Sequence, residues 1–248
     1  MLVRTDWLKA SAHREMDVSA LREEILRRAR AVAKPIVIFD LDSTLYEVQP
    51  RTLAVLKAWL TEPASGRHHE TRQRLEPAEI KHLGYSVRDL FAALDLPDDS
   101  EAYHEFRRYW GDHFFSDAFL PHDRPYPGTV EFVRALHGAG IHIVYLTGRD
   151  APGMTHGTRA NLLRDGFPLG EGTELHLKPT QKHGDISHKH EVVGDLRRRG
   201  EVIASFENEP RNLVMFYDEL PGAMHVLADT VCSDHPARPI AGFYVIRW

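Results

Sequence analysis

Two carboxylates, Asp40 and Asp42, stand one residue apart, directly after the apolar run at 36–39. A run of four apolar residues predicts a short strand that is buried on both faces. In an extended chain the side chains of positions i and i+2 lie on the same side, so both carboxylates face one way if the strand geometry continues. Like charges held so close are costly without a neutralising cation. The pair therefore predicts a divalent metal site, a nucleophile, or both.

Polar side chains also follow two later apolar runs. Thr147 ends one of them, and Glu207 with Asn208 ends the other. Because ligands bind beyond the carboxyl ends of strands in open parallel sheets, we expect these groups to meet the aspartate pair at one site. A hydroxyl, an amide and a further carboxylate are groups that a site for a metal and a phosphate requires.

The elements that must position these residues alternate between helix and strand after residue 122. Such alternation predicts an α/β domain with a mainly parallel sheet. After the first strand at 36–39, further strands are predicted at 141–146, 174–177, 202–206 and 225–227, with a last one at an edge in the tail 243–248.

The segment 46–121 has a different character, because helical patterns fill it and no strand pattern interrupts them. It predicts a helical cap inserted above the carboxylates. Residues 1–34 predict a helical extension, in which apolar side chains recur at a helical period. The predicted division is therefore an N-terminal helical extension at 1–34, an α/β core domain at 35–45 and 122–248, and a helical cap at 46–121.

The bulk properties exclude several classes of protein. The 248 residues include 42% hydrophobic and 27% charged residues, which is ordinary for a soluble globular chain. A net charge of -5 does not suit a general nucleic-acid binder, and no apolar run reaches the roughly 18 residues of a membrane span. Cys232 is the single cysteine, so no disulfide can form within the chain. We expect a cytoplasmic protein with no nucleic-acid or membrane partner.

Four short motifs give the chain a resemblance to a known family. Residues 39–44 read Phe-Asp-Leu-Asp-Ser-Thr after a strand, and residues 144–149 are a strand that ends at a threonine. A lysine at a predicted helix start, Lys189, and the acidic segment 205–212 complete the set. With these motifs the chain resembles the haloacid dehalogenase-like (HAD) superfamily of phosphohydrolases over residues 36 to about 228. The resemblance implies a Rossmann-like three-layer sandwich, with a helical cap inserted after the first motif.

The resemblance also implies roles for the residues. Asp40 would be the nucleophile that forms an aspartyl-phosphate, and Asp42 would be the general acid and then the general base. The implied cofactor is Mg²⁺, held by Asp40, the backbone carbonyl of Asp42, and Glu207 or its neighbour Asn208. Thr44 would orient Asp42 through its hydroxyl.

The implied phosphate-binding residues are Thr147, Gly148 and Lys189. Lys178 is an alternative to Lys189, and we prefer Lys189 because a helix N-terminus aids phosphate binding. The fourth motif departs from the family pattern, since Glu207 stands where an aspartate is usual. Asn208 or Asn212 could supply a neutral second contact to the metal.

The expected function is a Mg²⁺-dependent phosphatase that acts on a small phosphorylated metabolite. Asp42 favours phosphate-ester cleavage over carbon–halogen cleavage, which needs no acid at that position. A phosphotransferase or phosphomutase with the same intermediate is the main alternative, and a non-catalytic binding protein on the same scaffold is a weaker one. The cap should set the substrate, and its arginines are plausible contacts for an anionic group: Arg67, Arg72, Arg74, Arg107 and Arg108.

Overall fold

A computed structural model describes residues 1–248, and seven of its nine strands form one parallel sheet. The sheet order is β1-β9-β8-β7-β2-β5-β6, and every neighbouring pair is parallel. This confirms the predicted α/β fold with a parallel sheet. The strands are β1 (Ala12–Glu15), β2 (Pro35–Phe39), β3 (Tyr46–Glu47), β4 (Arg124–Pro125), β5 (His142–Asp150), β6 (Thr173–Lys178), β7 (Glu201–Glu207), β8 (Met224–Ala228) and β9 (Ala241–Ile246).

Ten α-helices surround the sheet or form the cap. None of them is long and apolar enough to cross a membrane. They are α1 (Arg4–Ala10), α2 (Val18–Ala29), α3 (Gln49–Thr61), α4 (His69–Leu75), α5 (Val87–Ala93), α6 (Glu101–Phe114), α7 (Thr129–Gly138), α8 (Ala151–Asp165), α9 (Asp185–Arg199) and α10 (Pro210–Glu219), with short 3-10 helices at Pro63–Arg67, Ile80–His82 and Leu120–His122.

The central strand β2 is buried on both faces, as its unbroken apolar run predicts. Val37 and Phe39 belong to a core cluster that includes side chains of α2 and α7. Ile36 and Ile38 belong to the opposite cluster, with side chains of α9 and α10. Each such side chain contributes roughly 1.5–3 kcal/mol through burial. Helices on both faces of the sheet give the predicted three-layer sandwich, and β2 positions the site at its carboxyl end.

The helical insertion has a hydrophobic core of its own. Trp59, Phe91 and Phe106 lie at its centre, and none of them is more than 1% exposed. Two short antiparallel strands, β3 and β4, pair where the chain leaves and re-enters the α/β core. They form a stem that joins the cap to the sheet.

The N-terminal segment differs from the helical extension predicted at 1–34, because it contains the strand β1. This strand pairs with β9 and therefore forms the edge of the sheet. All four of its residues are exposed, so it has no alternation of apolar side chains that a sequence pattern could reveal. The tail does form the predicted strand, β9, but it lies inside the edge because β1 covers it.

Two helices begin in segments whose composition conceals a helical pattern. Helix α9 begins at Asp185, so Lys189 lies in its second turn and not at its N-terminus. The polar residues of its first turn conceal the helical period. Helix α8 begins at Ala151 directly after β5, where the side chain of Asp150 accepts a hydrogen bond of 2.9 Å from the N–H of Gly153. Proline and glycine are typical of turns, so the sequence pattern does not indicate a helix in this first turn.

Candidate active site

Asp40 lies at the carboxyl end of β2, between the ends of β5 and β7. Its backbone N–H donates a hydrogen bond of 3.0 Å to the carbonyl of Phe206, which continues the pairing with β7 by one residue. Because β5 and β7 flank β2, Thr147 and Glu207 reach the same edge of the sheet. The three predicted groups line one cavity.

Lys189 is the cation at the centre of this site. Its Nζ lies 2.8 Å from Asp40 Oδ1 and 2.7 Å from Glu207 Oε2, and all three residues are buried. Burial alone would lower the pKa of Lys189, but the charges of Asp185, Asp40 and Glu207 raise it well above its usual value. Burial raises the pKa of Asp40 and of Glu207, and Lys189 opposes that rise. The lysine therefore stays protonated and balances two buried carboxyl groups.

Both oxygens of Glu207 already have hydrogen-bond partners. Oε2 accepts from Lys189, and Oε1 accepts at 3.1 Å from the backbone N–H groups of Asn208 and Glu209. In this arrangement Glu207 is the counter-charge of Lys189. Its predicted role as a metal ligand stays a prediction.

Thr44 connects Asp40 to Asn208. Its hydroxyl contacts neither oxygen of Asp42, the residue that it was expected to orient. Its Oγ1 lies 3.1 Å from Asp40 Oδ2 and 3.2 Å from Asn208 Oδ1. A left-handed residue, Ser43 at φ 59°, turns the chain after Asp42 and places Thr44 beneath Asp40. The hydroxyl carries one proton, so it can donate to Asp40 Oδ2 or to Asn208 Oδ1 but not to both at once.

Asp42 faces two arginines. Arg149 donates to Asp42 Oδ1 from Nε at 2.8 Å and also from Nη2, and Arg51 Nη2 lies 3.1 Å from the same oxygen. Burial opposes ionisation of Asp42, but the charges of Arg149 and Arg51 prevail and lower its pKa. In the free protein Asp42 is therefore an ionised, paired carboxylate.

Asp123 completes a buried charge network with these arginines. Its carboxylate accepts from Arg51 Nε and Nη2 at 2.7 Å each, and from Arg149 Nη2 at 2.8 Å. Arg51 lies in the first turn of α3 and Asp123 just before β4, so the pair joins the two segments that connect the cap to the core. We define Arg51, Asp123 and Arg149 as the linker clamp.

Sequence reasoning missed the linker clamp. Arg149 appeared only as the last residue of the segment 144–149, and neither Arg51 nor Asp123 was singled out. A local signal exists for Arg149 alone, because it lies two residues after Thr147, at the polar end of the predicted strand. Arg51 and Asp123 are 72 residues apart, and no spacing rule connects them.

Thr147, Gly148 and Asp185 form the wall opposite Glu207. A side chain at position 148 would place its Cβ 2.8 Å from Asp185 Oδ1, so any residue other than glycine would displace the Asp185 carboxylate. Asp185 Oδ2 accepts a hydrogen bond of 2.8 Å from Asn212 Nδ2, while Oδ1 is buried with no hydrogen-bond partner. Sequence reasoning did not single out Asp185, because it assigned its segment to a loop.

The cavity above these groups has a volume of about 290 Å³ and lies between the core and the cap. The residues predicted for catalysis, phosphate binding and metal binding all line it, including the alternatives Lys178 and Asn212. Lys178 is half-buried and donates to the carbonyl of Gln181 at 3.4 Å, whereas Lys189 contacts Asp40 directly. None of the five cap arginines lines the cavity, so the structure places none of them at the site.

The oxygen atoms of the site suit a hard cation. Asp40 Oδ2 and Asn208 Oδ1 share one hydroxyl proton, and Asp185 Oδ1 has no donor at all. No three Asp, Glu, His or Cys side chains are grouped as a metal cluster. Mg²⁺ typically takes one or two protein carboxylates and keeps several waters, whereas structural zinc sites need four close ligands. The donor set therefore fits Mg²⁺.

Comparison with known proteins agrees with this geometry. Residues 35–172, more than half of the chain, match the family of haloacid dehalogenase-like hydrolases. A phosphoglycolate phosphatase of Mesorhizobium japonicum is 25% identical over 178 residues, which are 66% of this chain and 75% of that protein.

Two solved structures can be compared with this fold. A candidate phosphatase from Clostridium difficile is 15% identical and superimposes with a TM-score of 0.51 over 86% of this chain and 94% of its own. A HAD-superfamily hydrolase of subfamily IA from Geobacter sulfurreducens is also 15% identical, with a TM-score of 0.49 over 85% and 92%. With the family match and the parallel sheet that carries the four motifs, the chain belongs to the haloacid dehalogenase-like hydrolases.

Proposed function

We propose that the protein is a Mg²⁺-dependent phosphatase that hydrolyses a small phosphomonoester through a phosphorylated Asp40. One observation carries the proposal: Asp40 faces the cavity with Oδ1 bound to Lys189 and Oδ2 next to the hydroxyl of Thr44. Two such contacts fix the orientation of the carboxylate, and the lysine charge attracts a phosphate. The similarity to a phosphoglycolate phosphatase favours a small phosphorylated substrate.

The reaction has two steps. In the first, an oxygen of Asp40 forms a bond to phosphorus while the bond from phosphorus to the ester oxygen breaks. Asp42 in its protonated form gives a proton to that oxygen, and an alcohol leaves. In the second, Asp42 takes a proton from water, the water oxygen attacks phosphorus, and the bond to Asp40 breaks. Phosphate leaves, and Asp42 again carries the proton.

Asp42 must gain a proton before the first step, although the arginines lower its pKa in the free protein. An incoming phosphate dianion favours the protonated form of Asp42, because a negative charge beside a carboxyl group raises the pKa of that group. The phosphate also competes with Asp42 for Arg149, which lines the cavity. Substrate binding and protonation of Asp42 are thereby coupled.

The phosphoryl oxygens would be held by Thr147, Gly148 and Lys189. Gly148 leaves its backbone open to the cavity, and Lys189 supplies the positive charge. Donors that are fixed before the reaction stabilise the charge that develops on the phosphoryl group. Lys178 lies at the rim as the alternative cation.

The metal would be held by Asp40, the backbone carbonyl of Asp42 and Asn208, with Glu207 as the further expected ligand. Bound Mg²⁺ shields the negative charge of the phosphate, which otherwise repels an anionic nucleophile. Lys189 contributes to the same purpose through its contact with Asp40 Oδ1.

Substitution of the nucleophile tests the proposal. We expect Asp40→Asn to lower phosphate release from p-nitrophenyl phosphate with Mg²⁺ by at least about a thousandfold, because an amide cannot form the phosphoenzyme. Acid quenching with radiolabelled substrate should trap labelled protein in the parent chain and not in the variant.

The matched control is Asp98→Asn, which changes an exposed aspartate of the cap. It should keep full activity, and circular dichroism should show both variants folded. Retention of activity in Asp40→Asn, or labelled protein in that variant, would contradict the assignment.

A further inference from the structure

The cap presents aromatic side chains to the cavity above the reacting groups. Tyr85 comes from the loop before α5, while Trp110, Phe114 and Phe115 come from the end of α6. We define these four residues as the aromatic wall. Tyr85 is 48% exposed although it is a large apolar residue, and it overhangs the cavity.

The rings of α6 are fixed by packing. Trp110 stacks on Phe114 with centroids 4.5 Å apart, and Phe115 meets both of them edge-on. Trp110 Nε1 also donates a hydrogen bond of 3.2 Å to Thr52 Oγ1, and the Arg51 guanidinium lies 4.2 Å from the Phe114 ring centre. Such a preorganised surface can bind a flat ring without first losing side-chain freedom.

The cap contributes no charged side chain to the cavity lining. The three cations of the lining belong to the core. Lys189 pairs with Asp40 and Arg149 pairs with Asp42, while Lys178 donates to the backbone carbonyl of Gln181. An anionic leaving group would therefore meet no complementary charge at the cap.

One polar group of the cap side lacks a partner. Gln49 lines the cavity, its residue is 5% exposed, and its Oε1 is buried with no hydrogen-bond partner. A buried polar atom without a partner costs free energy unless a ligand satisfies it. A hydrogen-bond donor on the ligand would do so once the Gln49 side chain turns its Oε1 towards the cavity.

We infer that the substrate is the phosphate ester of an uncharged aromatic or heteroaromatic alcohol that carries a hydrogen-bond donor on its ring. The ring stacks on the aromatic wall, the donor reaches Gln49, and the phosphate lies over Asp40. This inference rests on the proposed phosphatase function and adds the chemical class of the leaving group. It distinguishes the protein from its relative, whose substrate carries a carboxylate.

Matched substrates test the inference. Benzyl phosphate and phosphoglycolate are both esters of primary alcohols, so recognition and not leaving-group reactivity should separate their rates. We expect kcat/KM for benzyl phosphate to exceed that for phosphoglycolate by at least about tenfold, since an aromatic contact adds to the burial of the ring. A hydroxyl on the benzyl ring should raise kcat/KM further, and Gln49→Leu should abolish that gain.

Variants of the wall separate this inference from the proposed function. Tyr85→Ala and Trp110→Ala should each lower kcat/KM for benzyl phosphate by about tenfold more than they lower kcat/KM for phosphoglycolate. Tyr109→Ala, which removes an aromatic ring of α6 outside the cavity lining, is the matched control and should change neither rate. If Trp110→Ala does not fold, the exposed position of Tyr85 makes Tyr85→Ala decisive.

Two outcomes would overturn the inference in different ways. A preference for phosphoglycolate, with hydrolysis that still requires Asp40, would reject the aromatic leaving group and leave the phosphatase intact. Failure of the parent chain to hydrolyse any phosphomonoester with Mg²⁺, and to form labelled protein, would reject the phosphatase and the inference with it.

Discussion

At the residue scale, Asp40 and Asp42 differ in the charges that surround them. Asp40 is buried and shares Lys189 with Glu207, whereas Asp42 is 29% exposed in its side chain and faces two arginines. Burial raises the pKa of the first, and the arginines lower the pKa of the second. Two carboxyl groups one residue apart thus have environments suited to different roles, one as nucleophile and one as a group that exchanges a proton.

Substitution of Asp42 should have an effect that depends on the leaving group. We expect Asp42→Asn to lower the hydrolysis of alkyl phosphates by about a hundredfold or more, because a basic alkoxide needs a proton as it leaves. The first step with p-nitrophenyl phosphate should change much less, since that leaving group is stable without a proton. Stopped-flow release of p-nitrophenol measures this step, and labelled phosphoenzyme should accumulate. An equal loss for both esters in the first step would contradict the role of Asp42 as acid.

At the element scale, the linker clamp connects the two cap segments to the end of β5. The side chains of Arg51 and Asp123 are fully buried, and that of Arg149 is 1% exposed. Each buried charge is therefore stabilised by the opposite charges of the clamp and not by water. Arg51 also reaches Asp42, which means that the cap segment and the proton-exchanging carboxylate share one side chain. A movement of the cap relative to the core would therefore change the surroundings of Asp42.

Removal of the central carboxylate of the clamp should destabilise the protein. We expect Asp123→Asn to lower the free energy of unfolding by about 3–5 kcal/mol, because it leaves two buried arginines with less negative charge. Urea unfolding followed by tryptophan fluorescence measures the loss. The control Asp98→Asn removes an exposed pair with Arg88 and should cost less than about 1 kcal/mol. If Asp123→Asn lowers the free energy of unfolding by no more than Asp98→Asn does, the clamp adds no stability.

At the scale of the whole molecule, a buried histidine links stability to pH. His225 lies on β8, where its Nδ1 lies 3.0 Å from Ser205 Oγ and its Nε2 lies 3.1 Å from the Leu220 carbonyl. Burial lowers the pKa of His225 to about 4. The unfolded chain therefore binds a proton at this residue at a higher pH than the folded chain does.

The sign of the pH effect follows from that difference. Above the ordinary histidine pKa of about 6.5, neutral His225 makes its full contribution to the free energy of unfolding. As the pH falls towards 4, this contribution is lost, and the loss amounts to up to about 3 kcal/mol. We expect His225→Gln to flatten the fall in unfolding free energy over this range. An identical slope in His225→Gln and the parent chain would refute the assignment.

The amino-acid sequence by itself determined the sheet, its buried strands and the groups at their carboxyl ends. Apolar runs and their polar ends are local patterns, so β2, β5, β7 and the residues Asp40, Thr147 and Glu207 could be found from order and spacing alone. Lys189 was found by resemblance to the family, although its helix begins one turn earlier than its pattern suggested.

Only the tertiary structure decided which groups face one another. The partners of Asp42 come from the cap segment and from β5, and a pairing across such distances leaves no periodic trace in the chain. The polar edge strand β1 could not be predicted from the sequence for the same reason. It is a strand because it pairs with β9, and its own exposed side chains show no strand pattern. The aromatic wall likewise exists only where α6 and the loop at Tyr85 meet above the sheet, since folding brings together residues that no local rule connects.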